Sequence, residues 1–150
     1  MSVPGKNSAL RTMNGRAARE TGPGVKMLTI LMIDDDADFS GLASAHFTKL
    51  GYTVALAQNG SEGLAKAGTI KPDIIFLDIM MPGMNGIEVL RELQAAEETA
   101  DVPVIVLSGK YFDEGMMDIF AQERNFRAFF AKPVELAQLQ QKMETLLKKR

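Results

Sequence analysis

Ile74-Ile75-Phe76-Leu77-Asp78 decides how the chain folds. Four consecutive apolar residues follow Pro72-Asp73 and stop at an acid. A run this short, bounded by a proline and a charge, reads as a strand covered on both faces rather than as a helix. Beyond it the loop Met80-Met81-Pro82-Gly83-Met84-Asn85-Gly86 leads into Ile87, Leu90 and Leu93 at helical spacing.

The same alternation extends in both directions. Upstream, residues 28–33 form a short apolar run ended by acids, which reads as another buried strand. Phe39, Leu42, Ala43, Phe47 and Leu50 then fall at helical spacing, and Gly51 stops that helix. A strand is expected over 52–57, followed by a turn at Asn59-Gly60. A short helix over 61–68 is built around Leu64 and Ala67, and Gly63 weakens it by about 1 kcal/mol against alanine. Downstream, Pro103 opens a strand over 104–107, and Met116, Ile119 and Phe120 mark a helix over 112–123. A strand over 127–131 precedes a last helix carrying Leu136, Leu139, Met143, Leu146 and Leu147. Lys148, Lys149 and Arg150 suit the negative end of its dipole. Five strands alternating with five helices imply an α/β fold, a parallel doubly wound sheet.

With 150 residues and ordinary apolar and charged fractions, one globular domain is expected. There is no cysteine, hence no disulfide framework and no thiolate metal site. Residues 1–26 carry a net charge of +4 and no sustained apolar periodicity, so they read as a disordered basic extension, with at most a helical turn over 9–20. Residues 27–150 carry −6 and hold the folded domain. An acidic body argues against nucleic acid as the main partner. No apolar run approaches the ~20 residues of a membrane span, and no apolar segment follows the early bases as in a secretory signal. A cytoplasmic protein is expected.

In doubly wound sheets the ligand lies beyond the carboxyl ends of the strands. Asp34, Asp35 and Asp36 follow the first strand, Asp78 the third, Ser108 and Gly109 the fourth, and Lys132 and Pro133 the fifth. Each has a plain explanation alone, as a helix cap or a loop residue. Together they form an acidic rim, and two carboxylates about 4 Å apart repel by roughly 4 kcal/mol at an effective dielectric near 20. A hard divalent cation offsets that repulsion, and an all-oxygen donor set suits Mg²⁺. Lys132 adds positive charge, Ser108 a hydroxyl and Gly109 an unobstructed amide. A central carboxylate with these helpers can attack a phosphodonor and form an acyl phosphate.

The stretches Ile30-Leu31-Met32-Ile33-Asp34-Asp35-Asp36, Ile75-Phe76-Leu77-Asp78-Ile79-Met80-Met81-Pro82-Gly83-Met84-Asn85-Gly86, Val104-Ile105-Val106-Leu107-Ser108-Gly109 and Ala131-Lys132-Pro133 resemble the receiver domain of two-component response regulators over residues 27–150. The resemblance implies the flavodoxin-like strand order 2-1-3-4-5. It makes Asp78 the phosphoacceptor and places Mg²⁺ on Asp35 directly, on Asp34 through water, on Asp78 and on the Met80 carbonyl. Ser108 takes the switch hydroxyl position, beside Gly109, and Lys132 pairs with phosphoryl oxygens through a cis bond to Pro133. Phe129 falls at the aromatic switch position, where tyrosine is common; without a hydroxyl it must act by packing. Met80 and Lys110 flank the path of a hydrolytic water, and neither can aim one, so slow self-dephosphorylation is expected rather than enzyme turnover. The implied partners are a histidine kinase or histidine phosphotransfer protein and an unidentified downstream protein. Residues 122–126 lack the usual Gly-Ala-type turn. No output module follows the last helix, so the resemblance implies a stand-alone, chemotaxis-regulator-like receiver, with a fragment of a longer protein as the alternative.

Other signals carry less. Asp34, Asp36 and Asp38 mimic a calcium loop, but Phe39 and Ala45 occupy its glycine and glutamate positions. A haloacid-dehalogenase-type phosphatase needs a further acidic pair after the lysine, where only Glu135 is present. His46, the sole histidine, reads as a helix-surface residue rather than a phosphodonor. The alternative function is a pseudo-receiver, the same fold used as a phosphorylation-independent scaffold. Met116, Met117 and Phe120 are read mainly as core, with an adaptable partner surface as the other possibility.

Overall fold

The computed structural model describes residues 27–148, apart from 82, 84 and 110–113. The N-terminal extension, Lys110 and the last two basic residues lie outside the described residues. Short apolar runs become strands β1 (Thr29–Ile33), β2 (Thr53–Ala57), β3 (Ile74–Asp78), β4 (Val104–Ser108) and β5 (Phe126–Ala131). They alternate with helices α1 (Ala37–Lys49), α2 (Gly60–Ile70), α3 (Gly86–Ala95), α4 (Glu114–Ala121) and α5 (Leu136–Lys148). All four strand pairings are parallel, in the order β2-β1-β3-β4-β5.

Side chains alternate across a strand, so each buried run feeds two cores. Leu31, Ile33, Ile75, Leu77, Val104 and Val106 face α2, α3 and α4. Ile30, Met32, Ile74, Phe76, Ile105 and Leu107 face α1 and α5. Each such side chain contributes roughly 1.5–3 kcal/mol by leaving water, which is why the three central strands carry polar residues only at their ends.

Asparagine and aspartate start the helices. Asp36, Asn59 and Asn85 each accept an amide hydrogen bond from the first turn, and Asn85 with Glu88 forms a complete capping box. Helix α2 runs beyond the expected 61–68 and is ended by Lys71 in the left-handed region, at φ 51°. Its Gly63 has a packing reason: a Cβ there would meet Ile33 Cδ1 at 2.5 Å. The residue that weakens α2 is therefore the one that lets it lie against β1.

The expected core face of α1 needs correction. Phe47 and Ala43 are buried, but Leu42 is 68% exposed and Leu50 lies at the surface. At 100° per residue, Leu42 points roughly 130° away from the centre of the Ser40-Ala43-Phe47 face. His46 is half-buried and hydrogen-bonded to Gln140 of α5 (Nε2 to Oε1, 3.0 Å).

Candidate functional site

Parallel strands that end in register deliver their next residues to one rim. Asp34 is fixed there by its amide, which donates to the Ala57 carbonyl at 2.9 Å. Its Oδ1 accepts the Asp36 amide at 2.9 Å, turning the chain back toward α1. Asp78 ends β3, and its Oδ1 accepts the Met80 amide at 2.9 Å. Asp34 and Asp78 are buried and Asp35 is exposed, and the three offer oxygens within 4.8 Å of one another.

Lys132 reaches into this group after β5. Its Nζ lies 2.7 Å from Asp34 Oδ2, 3.4 Å from Asp78 Oδ2 and 3.8 Å from Asp36 Oδ2. The contact to Asp34 is an ion pair that misses hydrogen-bond alignment, and Asp34 Oδ2 is otherwise without a partner. Burial pushes the Asp34 carboxyl up to about 6, aided by the Asp78 charge and opposed by Lys132 and the Asp36 amide. For Lys132, burial works against the ammonium. The contact with Asp34 and the charges of Asp34, Asp78 and Asp36 outweigh it and raise the pKa.

Ser108 is buried at the end of β4, opposite Ala131, and its carbonyl accepts the Lys132 amide at 2.8 Å. Gly109 has open space where a Cβ would stand. The Lys132–Pro133 peptide is cis. Phe129 is not on the rim: it stands opposite Val106, packed against the α2-α3-α4 core. The Met80 side chain is 46% exposed. Phe120 is buried and Met116 packs against the same core, while Ile119 is exposed. These three, with Ile79, Met80 and Ile87, line an apolar groove of about 240 Å³ beside the rim. The sequence showed no groove, because α3 and the β3–α3 loop supply half of its wall.

The donor set fits a hard divalent cation. It is all oxygen, two of its carboxylates are buried, and one buried oxygen is left with a single off-line lysine contact. A family model described as the response regulator receiver domain matches residues 30–144. The chain belongs to this family.

The receiver is 35% identical over 122 residues to protein PilH of Pseudomonas aeruginosa, covering 81% of this chain and 93% of that one. It is 33% identical over 131 residues to the DNA-binding regulator RpaA of Synechocystis, covering 82% of this chain but 50% of that one. It thus spans about half the length of this longer regulator. Among solved structures, a receiver domain protein from Methanospirillum hungatei is 26% identical with a TM-score of 0.75, covering 83% of this chain and 96% of the other. The receiver domain of a sensor histidine kinase from P. aeruginosa has a magnesium ion coordinated in its active site cleft. It is 26% identical, TM-score 0.72, over 82% of this receiver and 99% of that domain. The observed strand order is that of the chemotaxis-regulator fold, shared with CheY4 of Vibrio cholerae at a TM-score of 0.74. Among the described residues, no helix is long and apolar enough to cross a membrane.

Proposed function

We propose that this receiver accepts a phosphoryl group on Asp78 from a histidine kinase or histidine phosphotransfer protein and thereby changes its affinity for a downstream protein. The observation that carries the reading is Lys132 Nζ between the buried carboxylates of Asp34 and Asp78, at 2.7 and 3.4 Å. An Asp78 oxygen attacks phosphorus. The bond from phosphorus to the donor imidazole nitrogen breaks, and its electron pair stays on the imidazole. Lys132 then exchanges a carboxylate partner for a phosphoryl oxygen, and the Gly109 amide has room to approach another. Asp34, Asp35, Asp78 and the Met80 carbonyl would hold Mg²⁺, which supplies positive charge against the phosphoryl oxygens.

Ser108, opposite Ala131 across the β4–β5 pairing, is the hydroxyl that closes on the phosphoryl group. Phe129, two positions back from Ala131, responds by repacking, since it has no hydroxyl to exchange. The response is read by protein contact in the cytoplasm, with no nucleic acid or membrane partner for residues 27–150. The exposed Met80 side chain shields phosphorus from water, and Lys110 is a poor base at neutral pH, so the acyl phosphate is long-lived.

The test is incubation with Mg²⁺ and acetyl phosphate followed by intact-mass measurement. One added phosphoryl group in the parent, and none in Asp78→Asn, is the expected result. No uptake by the parent would establish the scaffold reading instead, and continuous release of phosphate would establish a phosphatase.

A further inference from the structure

Phe39 occupies a position that phosphoacceptor chemistry leaves unassigned. Its ring lies under Lys132, with Nζ 4.8 Å from the ring centroid. The Lys132 side chain is only 13% exposed, so this contact forms away from bulk water. We infer that Phe39 is a positioning residue for Lys132, holding the ammonium by its π face in reach of Asp78; this rests on the phosphoacceptor reading above.

Local structure fixes the ring. Asp36 caps α1 by accepting the Phe39 amide at 3.1 Å through Oδ1, while its Oδ2 lies 3.8 Å from Lys132 Nζ. The side chain leaves the first turn of α1 half-buried, packed against the α1-α5 core. Cap and ring therefore share one short segment, and both meet Lys132.

The chemistry explains why a ring suits this place. Lys132 is pulled toward Asp34, at 2.7 Å, more closely than toward the acceptor, at 3.4 Å. A further carboxylate could restrain the ammonium, but it would add formal negative charge where an anionic phosphoryl group must arrive. An aromatic face attracts a cation through its quadrupole and adds no formal charge. It also takes no part in ligating a metal and accepts no proton.

The experiment uses the full chain in four forms: parent, Phe39→Tyr, Phe39→Leu and Phe39→pentafluorophenylalanine. The last keeps the shape and reverses the quadrupole. Two quantities are read. One is the rate of phosphoryl uptake from acetyl phosphate at saturating Mg²⁺. The other is the NMR shielding of the Lys132 ε-methylene by the ring. We expect the parent and Phe39→Tyr to agree in rate and to show the shielding. Phe39→Leu and the fluorinated form should lose about three- to tenfold in rate. In a Lys132→Gln background, Phe39→Leu should change the residual rate no further. Equal rates in the parent and the fluorinated form overturn the inference, as does a full Phe39→Leu effect without the lysine. Absence of shielding in the parent overturns the placement itself. Shielding in a parent that takes up no phosphoryl group instead overturns the phosphoacceptor reading, and the catalytic part of this inference with it.

Discussion

The two ends of the sheet bury polar groups in opposite ways. At the amino ends, buried Asp73 accepts the Thr29 amide at 2.8 Å while its own amide donates to the Thr29 carbonyl at 2.8 Å. Buried Asn125 donates its side-chain amide to the Leu90 carbonyl at 3.2 Å, and its backbone carbonyl accepts the Val104 amide at 2.8 Å. At the carboxyl ends, buried Asp34 and Asp78 each take one backbone amide and spend their other oxygen on a shared lysine. One end uses polar side chains to close the backbone ladder. The other gathers like charges that a fold has no stability reason to gather, which is the signature of a site kept for an incoming ligand.

The contrast yields predictions of decreasing size. Asp78→Asn should abolish phosphoryl uptake altogether while leaving the melting temperature in metal-free buffer equal or higher, because a repelling charge is lost. A marked fall in melting temperature would place Asp78 with the structural acids. Next in size is the pH dependence of Asp34, whose carboxyl has a folded value of about 6 against an ordinary 3.8. Between those values the folded protein holds a proton that the unfolded chain releases, so stability falls as pH rises through that window. The loss is at most about 3 kcal/mol. Denaturant titrations of parent and Asp34→Asn should diverge below pH 6 and run parallel above it; curves parallel throughout refute the shift.

At the other end, Asp73→Ala should cost roughly 1–3 kcal/mol by taking the partner from the part-buried Thr29 amide. It should leave phosphoryl uptake by the folded protein unchanged, and a matching loss of uptake would dissolve the division between the two ends. The smallest effect concerns lifetime. Met80→Asn combined with Lys110→Glu should speed decay of the purified phosphoprotein severalfold, as an amide and a carboxylate begin to orient water. Unchanged or slower decay removes the shielding role of Met80.

Much of this was legible in the residues. The runs 30–33, 74–77 and 104–107 are apolar throughout because both faces are covered, so the parallel sheet could be read from them and the rim followed. The edges were harder. Residues of β2 and β5 are largely half-buried or exposed, so their apolar pattern is weaker, although all five strand boundaries were expected to within one residue. Leu42 was misplaced because spacing of three and of four both look helical, and only packing selects the face. Asp73 and Asn125 give no sequence signal, since a lone acid before a strand and a lone amide in a turn are common at the surface. Phe39 was assigned only to a helix face, because its contact with Lys132 spans 93 residues of chain and depends on two loops meeting.

One irregularity sets which side of the sheet Phe129 packs against. Between Val104 and Ile105 the β4–β5 register slips, so that Phe126 stands opposite Val104 while Ala128, not Arg127, stands opposite Ile105. The exposed Arg127 is thus a spacer that reverses the parity of everything after it. Phe126 and Phe129, three apart, share the α2-α3-α4 side, and Phe130 goes to the α1-α5 side. Counting residues, rather than choosing them, decides which helices Phe129 addresses. Deleting Arg127 would remove the slip yet leave Phe126 and Phe129 two apart on the same side, whereas straightening the strand with Arg127 kept would set Phe129 against Phe126 across the sheet, the same aromatic letters speaking to a different audience.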